Sequence, residues 1–313
     1  YDPNTGTVEP VIASDGTVPT AQTIVTLYRD RIFLAGVTQA YYASRTGDPT
    51  KWDFGEAIED PGAAVAGQVS IAGRMGEVVT AMIPLNDQAL VIATKNTLWL
   101  LTGEPTTGSL RNVSDEIGIV SRKAWAITPD GLLCFLSNDG LYLWTPGAGA
   151  PTRLSAERVP DELREVDTSL LTTSMAYDPT WRGFHLFLTP GTPTPGTHWW
   201  VDFEARALWP QRFVRNHQPL CAATLTTTGL GVVVVGGRDG YVRYFADGRN
   251  DDDGLELKSH VLLGPVHLAG DDAHDAFLAE IHGAIEELSE NASVTWRVIH
   301  GRSPALAVEA AIA

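Results

Sequence analysis

Apolar and polar residues follow the same layout in five segments of this chain. In each segment, an apolar run of strand type is followed by a turn and then by an aromatic strand. Asp-Gly and Asn-type turns between β-branched or aromatic runs are the strongest short-range signal for a β-hairpin. The pattern therefore predicts five hairpins, which lie in the ranges 30–48, 88–104, 131–147, 183–209 and 230–248.

The hairpins recur about every 50 residues. A repeat of roughly 40 to 50 residues made of strands and turns is typical of β-propellers, in which one repeat forms one four-stranded blade. Helical solenoids are excluded, because the repeated unit lacks long 3.6-residue periodicity. Further strands are predicted before four of the hairpins, at 78–84, 124–129, 171–177 and 220–225. We predict an all-β fold, a β-propeller of five or six blades with a small C-terminal β (or α+β) appendage.

The predicted domains are 1–254, the propeller, and 255–313, which contains C-terminal strands that close the propeller and a small docking module. Residues 276–286 fit a strand and also a helical face. We favour a hairpin of 276–286 with 293–299, followed by a short helix after Ser303, where Ser-Pro precedes an Ala-rich run. The predicted helix content is below ~15%, because the propeller itself needs none.

The 313 residues suffice to bury a large core without disulfides. Cys134 and Cys221 lie inside apolar runs, so we expect two buried free thiols with no metal or disulfide role. No run approaches the ~18 apolar residues that span a bilayer. Because the chain begins at Tyr1 without methionine, we expect N-terminal residues to be missing or cleaved and the first blade to be incomplete.

The net charge is −16, from 38 acidic and 22 basic residues. A surface of this sign repels phosphate, so the chain is not expected to grip DNA or RNA by the backbone. An acidic or neutral wall suits a tube through which DNA slides, since counterion release would otherwise hold the duplex in place. The charge thus permits DNA as passing cargo only.

Three phrases of the sequence lie at 39–54, 78–103 and 117–142. The first is an aromatic-Ser strand followed by Gly47-Asp48-Pro49, two variable positions and Trp52. Together the three phrases resemble the β-propeller proteins of tailed bacteriophage necks and tails, in particular podophage tail nozzle or tail tubular proteins. The second and third phrases resemble the second and third blades of those proteins, and the resemblance covers about 30 to 265.

The resemblance implies a virion structural protein that forms a ring, in podophages a hexamer. The ring would surround the path of DNA while packaged DNA is retained and while it is ejected. Its implied partners are copies of itself, an adaptor or portal-proximal ring, and tail fibres. The chain departs from the family at its end, where a short tail replaces the large platform of a full-length nozzle. The alternative function is a glycan-binding or glycan-degrading propeller that recognises a host surface.

Several polar and aromatic groups suggest a site. Ser137-Asn138-Asp139-Gly140 is similar to the Asp-box of sialidase-like propellers but lacks one residue, so an ordinary hairpin turn is the better interpretation. Trp199, Trp200, Trp209 and Trp181 could stack on sugar rings. Blade strands are rich in aromatics, and adjacent Trp199 and Trp200 must point to opposite faces, so core packing is favoured.

The acidic run that ends the propeller could supply oxygen ligands to calcium. Its carboxylates belong to Asp247, Asp251, Asp252 and Asp253, but their spacing differs from that of an EF-hand loop, so a solvated loop is preferred. His260, His267 and His274 fall seven residues apart, which is not a metal-ligand spacing. No metal or cofactor is predicted.

Catalytic motifs are missing from the sequence. It contains no Gly-x-Ser-x-Gly elbow, phosphate loop, His-Glu-x-x-His or Cys-x-x-Cys. We therefore predict a protein that is not an enzyme, and we assign no catalytic residues.

Overall fold

The computed structural model describes residues 6–7, 10–55, 59–70, 76–154, 163–226, 231–245, 251–256 and 298. These residues form strands and turns without an α-helix, and no helix in this part of the chain is long and apolar enough to cross a membrane. The chain divides into two compact units, Tyr1–Leu257 and Lys258–Ala313. Only Val298 of the second unit is described, so the predicted hairpin of 276–286 with 293–299 and the helix after Ser303 lie outside the described residues.

Most of the described strands of the first unit form five antiparallel sheets of three or four strands, which follow one another in chain order. The first sheet contains β2 (Ile24–Tyr28), β3 (Arg31–Ala35), β4 (Ala40–Ala43) and β6 (Val65–Gln68). The second contains β7 (Val79–Asn86), β8 (Ala89–Thr94), β9 (Leu98–Thr102) and β10 (Ser109–Ser114). The third contains β11 (Trp125–Ile127), β12 (Leu133–Ser137), β13 (Gly140–Trp144) and β14 (Thr152–Arg153).

The fourth sheet contains β15 (Leu171–Asp178), β16 (Gly183–Pro190), β17 (Thr197–Asp202) and β18 (Ala207–Gln211), and the fifth contains β19 (Pro219–Thr226), β20 (Gly231–Gly237) and β21 (Val242–Tyr244). Two shorter strand pairs are also present in the described part of this unit. A parallel pair joins β1 (Asp15–Gly16) to β5 (Lys51–Trp52), and a hairpin joins β22 (Asp251–Asp252) to β23 (Leu255–Glu256).

The five predicted hairpins are confirmed as β3–β4, β8–β9, β12–β13, β16–β17 and β20–β21. The strands predicted before four of them are β7, β11, β15 and β19. The first sheet has all four strands, so the expectation of an incomplete first blade is wrong.

Each inner sheet is buried on both faces, because alternate residues of its strands pack against different neighbours. In β8, Leu90 and Ile92 pack in a core shared with the first sheet, whereas Val91 and Ala93 pack in a core shared with the third and fourth. In β16, Phe184 packs in this second core, which is the larger of the two, and Phe187 packs against the fifth sheet. Near-continuous apolar strands are what such two-sided burial requires.

The first strands of successive sheets lie side by side, as in the pairs β2 with β7, β11 with β15 and β15 with β19. Arg122, just before β11, donates from Nη1 to the carbonyl of Thr23, just before β2, at 3.1 Å. Four-stranded meanders packed face to face, with their first strands together, are the blades of a β-propeller. The predicted all-β propeller is therefore confirmed, whereas its predicted C-terminal appendage lies almost entirely outside the described residues.

The outer faces of the first and fifth sheets are apolar and exposed. On the first sheet, Val25 is 70% exposed and Leu27 is also exposed. On the fifth sheet, β-ladder pairing places Cys221, Leu225, Val242 and Tyr244 on one face with Val232 and Val234, and Val242 is 73% exposed. We name these surfaces the first-sheet face and the fifth-sheet face.

The expectation of two buried thiols is correct for Cys134 and wrong for Cys221, which is exposed. Cys134 lies in the third sheet, which has a neighbour on each side, and burial raises the pKa of its thiol. Cys221 lies in an equally apolar run but points to the fifth-sheet face. An apolar run therefore predicts a strand, whereas burial also depends on which sheets flank that strand.

The phrase around Trp52 forms an insertion between β4 and β6. Asp48 Oδ1 accepts hydrogen bonds from the backbone and hydroxyl of Thr50, at 3.0 and 2.7 Å, and the Trp52 indole donates to the Pro49 carbonyl at 2.8 Å. The side chain of Arg31 is fully buried beneath the insertion and donates to the carbonyls of Ser44, Pro61 and Ala63. The phrase is therefore a folded structural element.

Candidate functional site

A pocket of about 350 Å³ lies on the face of the fourth sheet that packs against the fifth. Cross-strand pairing places His185, Trp200 and Trp209 in one row on this face, because each is directly opposite the next in β16, β17 and β18. Directly paired residues of an antiparallel sheet point to the same side. The lining consists of Asp178, Trp181, His185, Trp200, Asp202, Gln211 and Phe245.

His185 is the centre of the pocket floor. Its Nε2 lies 3.4 Å from Oδ2 of Asp178, and its Nδ1 lies 2.9 Å from Oε1 of Gln211. Its ring stacks on Phe245, with 4.5 Å between centroids and 5° between planes, and meets Trp200 at 4.8 Å. Polar partners on both nitrogens and rings on its faces hold the imidazole in one orientation.

Asp178 is buried at the end of β15, where it also shapes the turn that leads to β16. Its Oδ1 accepts hydrogen bonds from the backbone amides of Thr180 and Trp181, at 2.8 and 3.2 Å. Burial alone would raise the pKa of Asp178, but hydrogen bonds from His185 and from these amides lower it overall. A carboxylate stabilised in this way stays ionised at neutral pH.

Trp200 owes its position to the absence of a side chain at Gly183. A Cβ atom built on Gly183 would lie 2.2 Å from Cζ2 of Trp200, so the indole ring covers the glycine. Trp181 follows Asp178 in the turn and is 69% exposed at the rim. The pocket thus joins two indole rings to buried and half-buried polar groups.

The sequence favoured core packing for the four tryptophans. That prediction is correct for Trp199 and wrong for Trp181 and Trp209. Trp199 packs against the larger core, on the opposite face from Trp200 as predicted. Trp181 and Trp209 are 69% and 60% exposed, and Trp200 lines the pocket. Three indole rings therefore lie on or beside the pocket face.

Sequence reasoning missed the polar members of the pocket. Asp178, His185, Asp202 and Gln211 are far apart in the chain and belong to no spacing motif. Asp202 Oδ1 accepts a hydrogen bond from the Ala205 backbone at 2.8 Å. The sequence did contain one signal, the alternation of side chains along a strand. A polar residue inside an apolar strand, such as His185, indicates that the face on which it lies is not packed entirely by apolar side chains.

The acidic run forms the β22–β23 hairpin, and its described carboxylates bind protein groups. Asp252 lies 3.0 Å from Nδ1 of His217, Asp253 accepts from Arg243 at 3.1 Å, and Asp251 accepts from the Gly254 backbone at 2.9 Å. Among the residues that the structure describes, no three His, Cys, Asp or Glu side chains are grouped to hold a metal. Asp247 lies outside the described residues, so the calcium hypothesis is untested.

The other candidates have simple outcomes. Asn138 and Asp139 form the turn of the β12–β13 hairpin, with Ser137 paired to Gly140, so the hairpin interpretation of the Asp-box-like phrase is confirmed. The Tyr142 hydroxyl donates to Asp139 at 2.8 Å, which ties the turn to its own strand. His260, His267 and His274 lie outside the described residues.

No known protein family matches the chain, and no curated protein matches it in sequence. Solved structures with a similar arrangement include the extracellular domain of a putative one-component system from B. thetaiotaomicron, with 12% identity over 73% of this chain and 28% of that chain, and a TM-score of 0.45. Another is an auxiliary nutrient binding protein from Bacteroides ovatus, with 10% identity over 72% and 56% of the two chains and a TM-score of 0.42.

A third is the mitotic checkpoint complex, with 12% identity over 71% of this chain and 60% of that chain, and a TM-score of 0.44. The chain thus spans between 28% and 60% of the length of these three structures. The fold class defined here, an all-β propeller, rests on the sheets and their packing.

Proposed function

We propose that this chain is a ring-forming structural protein of a bacteriophage neck or tail, whose copies surround the path of DNA. The observation that carries the proposal is the pair of exposed apolar faces at the two ends of the sheet series. Val25 and Leu27 on the first-sheet face, and Val242 and Tyr244 on the fifth-sheet face, are all exposed. Exposed apolar side chains grouped on one face of a sheet are typical of interaction sites.

The two faces suit a ring because they differ from each other. Subunits of a closed ring make heterologous contacts, in which one patch meets a different patch of the next copy. An interface between identical patches would instead give a twofold dimer. The resemblance of the 39–54 phrase to phage propellers supports the same proposal, and it suggests six subunits, an adaptor or portal-proximal ring above, and tail fibres as neighbours.

The charge of the chain supports DNA as cargo in transit. With a net charge of −16, the subunit repels the phosphate backbone. In a sixfold ring this repulsion multiplies, so the wall offers the duplex no binding site along its path. We propose no catalytic role for the ring.

Purified phage particles that contain the chain provide the test. We expect mass spectrometry to find the chain in particles and averaged micrographs to place it in a ring on the axis of the neck or tail. Detection on a peripheral fibre, or outside any virion, would reject the assignment.

A pair of matched variants tests the role of the exposed faces. Val242→Asp charges the fifth-sheet face and should leave folding intact, because Val242 is exposed, but it should abolish incorporation into particles. Tyr241→Asp is the control: Tyr241 is similarly exposed and lies under the Arg243 guanidinium, away from that face. Normal incorporation of the Val242→Asp chain would contradict the proposal.

The pocket of the fourth sheet favours a second candidate, a propeller that binds glycans. Ligand sites are concave, lined mainly by aromatic groups, and contain a few polar groups that fix orientation. Here Trp181 and Trp200 supply flat apolar surfaces, and Asp202 and Gln211 supply hydrogen-bonding groups. The pocket volume of about 350 Å³ lies at the lower end of the range of small-molecule sites.

Binding of soluble oligosaccharides, followed by tryptophan fluorescence, tests this candidate. Trp200→Ala should abolish the response, whereas Tyr241→Ala, which removes an exposed ring outside the pocket, should preserve it. Cleavage of a host polysaccharide that is lost in Asp178→Asn or Asp202→Asn would instead establish a glycan-degrading enzyme and reverse the order of the two candidates.

A further inference from the structure

Apart from His185, the titratable groups in the lining of the pocket on the fourth sheet are all carboxylates. The lining includes the carboxylates of Asp178 and Asp202, and no lysine or arginine is found among its described residues. Arg182 follows Trp181 in the chain, but it is engaged by Glu204 at 3.0 Å and does not line the pocket. Because the charge of the whole chain is also strongly negative, the pocket repels carboxylate, sulfate and phosphate groups.

The two carboxylates differ in how far they are already engaged. Both oxygens of Asp178 already accept hydrogen bonds, from Thr180, Trp181 and His185. Asp202 uses only Oδ1, for the Ala205 amide, and its Oδ2 accepts no hydrogen bond from the described part of the chain. Asp202 is partly exposed and can therefore receive a donor from a ligand without breaking an internal contact.

The aromatic groups of the lining prefer the same kind of ligand. Trp181, Trp200 and Phe245 all contribute to the pocket. The face of an aromatic ring carries a negative quadrupole that attracts cations, and indole does so most strongly. A cation in this pocket would lie among aromatic rings and beside a carboxylate, whereas a neutral group would gain only from burial.

We propose that the pocket selects ligands that carry a positively charged nitrogen, and that among glycans it selects amino sugars with a free ammonium group. The ammonium donates to Oδ2 of Asp202, while the apolar side of the sugar ring lies on Trp200 and Trp181. The amide of Gln211 is placed to exchange hydrogen bonds with ring hydroxyls. The amino-sugar assignment rests on the glycan-binding candidate, and the preference for positive charge does not.

Four probes separate the possibilities in a titration followed by tryptophan fluorescence and calorimetry. They are a glucosamine trimer, the matched N-acetylglucosamine trimer, a trimer of galacturonic acid, and tetramethylammonium. We expect the glucosamine trimer to bind roughly tenfold more tightly than the N-acetylated one at low salt, in line with a desolvated ion or cation–π contact. The galacturonic acid trimer should not bind. The preference should shrink as salt is raised, because charges are screened.

Two variants locate the effect. Asp202→Asn keeps the shape of the side chain and should remove the preference for glucosamine over its N-acetylated form. Glu204→Gln removes a carboxylate two residues further along the chain that is exposed, paired with Arg182 and outside the pocket lining, so it should leave the preference unchanged. Trp200→Ala should weaken binding of every probe that the unmodified chain binds.

Each remaining outcome decides the inference. Equal or tighter binding of the N-acetylated trimer by the unmodified chain, or an unchanged preference in Asp202→Asn, would overturn it. Binding of tetramethylammonium without any sugar would reject the glycan candidate and uphold selection for positive charge. If none of the four probes binds, both the glycan-binding candidate and the selection for positive charge are overturned.

Discussion

The imidazole of His198 meets the ring of Phe213 at nearly a right angle, with 5.2 Å between centroids and 86° between planes. His198 also packs at 5.8 Å against Phe187 and is 2% exposed. Neither ring nitrogen has a hydrogen-bond partner in the described part of the chain. Burial therefore lowers the pKa of His198 to about 4.

The neutral state of His198 makes the fold sensitive to acid. The unfolded chain takes up a proton near pH 6.5, and the folded chain only near pH 4. The stability that the neutral imidazole of His198 contributes is therefore fully present above pH 6.5. It is lost as the pH decreases from 6.5 to 4, and the loss is on the order of 3 kcal/mol. Urea unfolding at several pH values should give a flatter profile for His198→Phe than for the unmodified chain. Equal slopes would contradict the prediction.

Replacement of Arg31 by methionine should loosen the insertion that contains Trp52. The fully buried guanidinium donates to three backbone carbonyls and lies 3.5 Å from Glu104, so its loss leaves these acceptors unpaired. Breaking such a buried contact costs about 3–5 kcal/mol. The control is Arg182→Gln, which removes an exposed ion pair worth about 0–1 kcal/mol. Similar urea midpoints for the two variants would refute this role of Arg31.

A methyl group at Gly183 should displace the indole of Trp200. Because the added Cβ would lie 2.2 Å from that ring, Gly183→Ala is expected to cost about 1–3 kcal/mol through overpacking and to disturb the pocket. Gly191→Ala is the matched control, since its nearest neighbour would be the Leu170 carbonyl oxygen at 3.8 Å. Thermal unfolding and tryptophan emission report the two effects, and unchanged emission in Gly183→Ala would argue against the pocket geometry.

The two cysteines should react differently with a thiol reagent. Cys221 is exposed, whereas Cys134 is buried and burial raises the pKa of its thiol, so one thiol per chain should react without denaturant and two with it. In assembled particles the proposed ring contact covers the fifth-sheet face, and Cys221 should become protected. A Cys221→Ser chain that still gives one rapid thiol would show that the assignment is wrong.

The hairpins could be predicted because both of their determinants are local. Turn residues such as Asn138 and Asp139, flanked by alternating apolar runs, specify a hairpin without any distant contact. The fourth strands of the first four sheets are harder to predict, because outer strands such as β14 (Thr152–Arg153) are short, polar and partly exposed. Their pairing depends on a neighbouring strand that the local sequence does not reveal.

The pocket could not be predicted, because its members meet only after four strands and a loop have been placed. Trp200 and Trp199 look alike in sequence, yet one lines the pocket and the other packs in the core. The alternation of side chains along a strand predicts that the two tryptophans face opposite sides of the sheet, but it does not predict which side contains the pocket. That depends on Phe245, which follows β21 of the fifth sheet and stacks on His185.

The stacking of sheets also gives this fold an order of opening. The third sheet has a packed neighbour on each face, whereas the first and fifth each leave one face uncovered. When each unit is stabilised mainly by its nearest neighbours, local opening begins at the ends of the series. Amide hydrogens of β12 should therefore exchange with deuterated water far more slowly than those of β2 or β21, and a subunit that joins a ring would gain most of its added protection at its two end sheets.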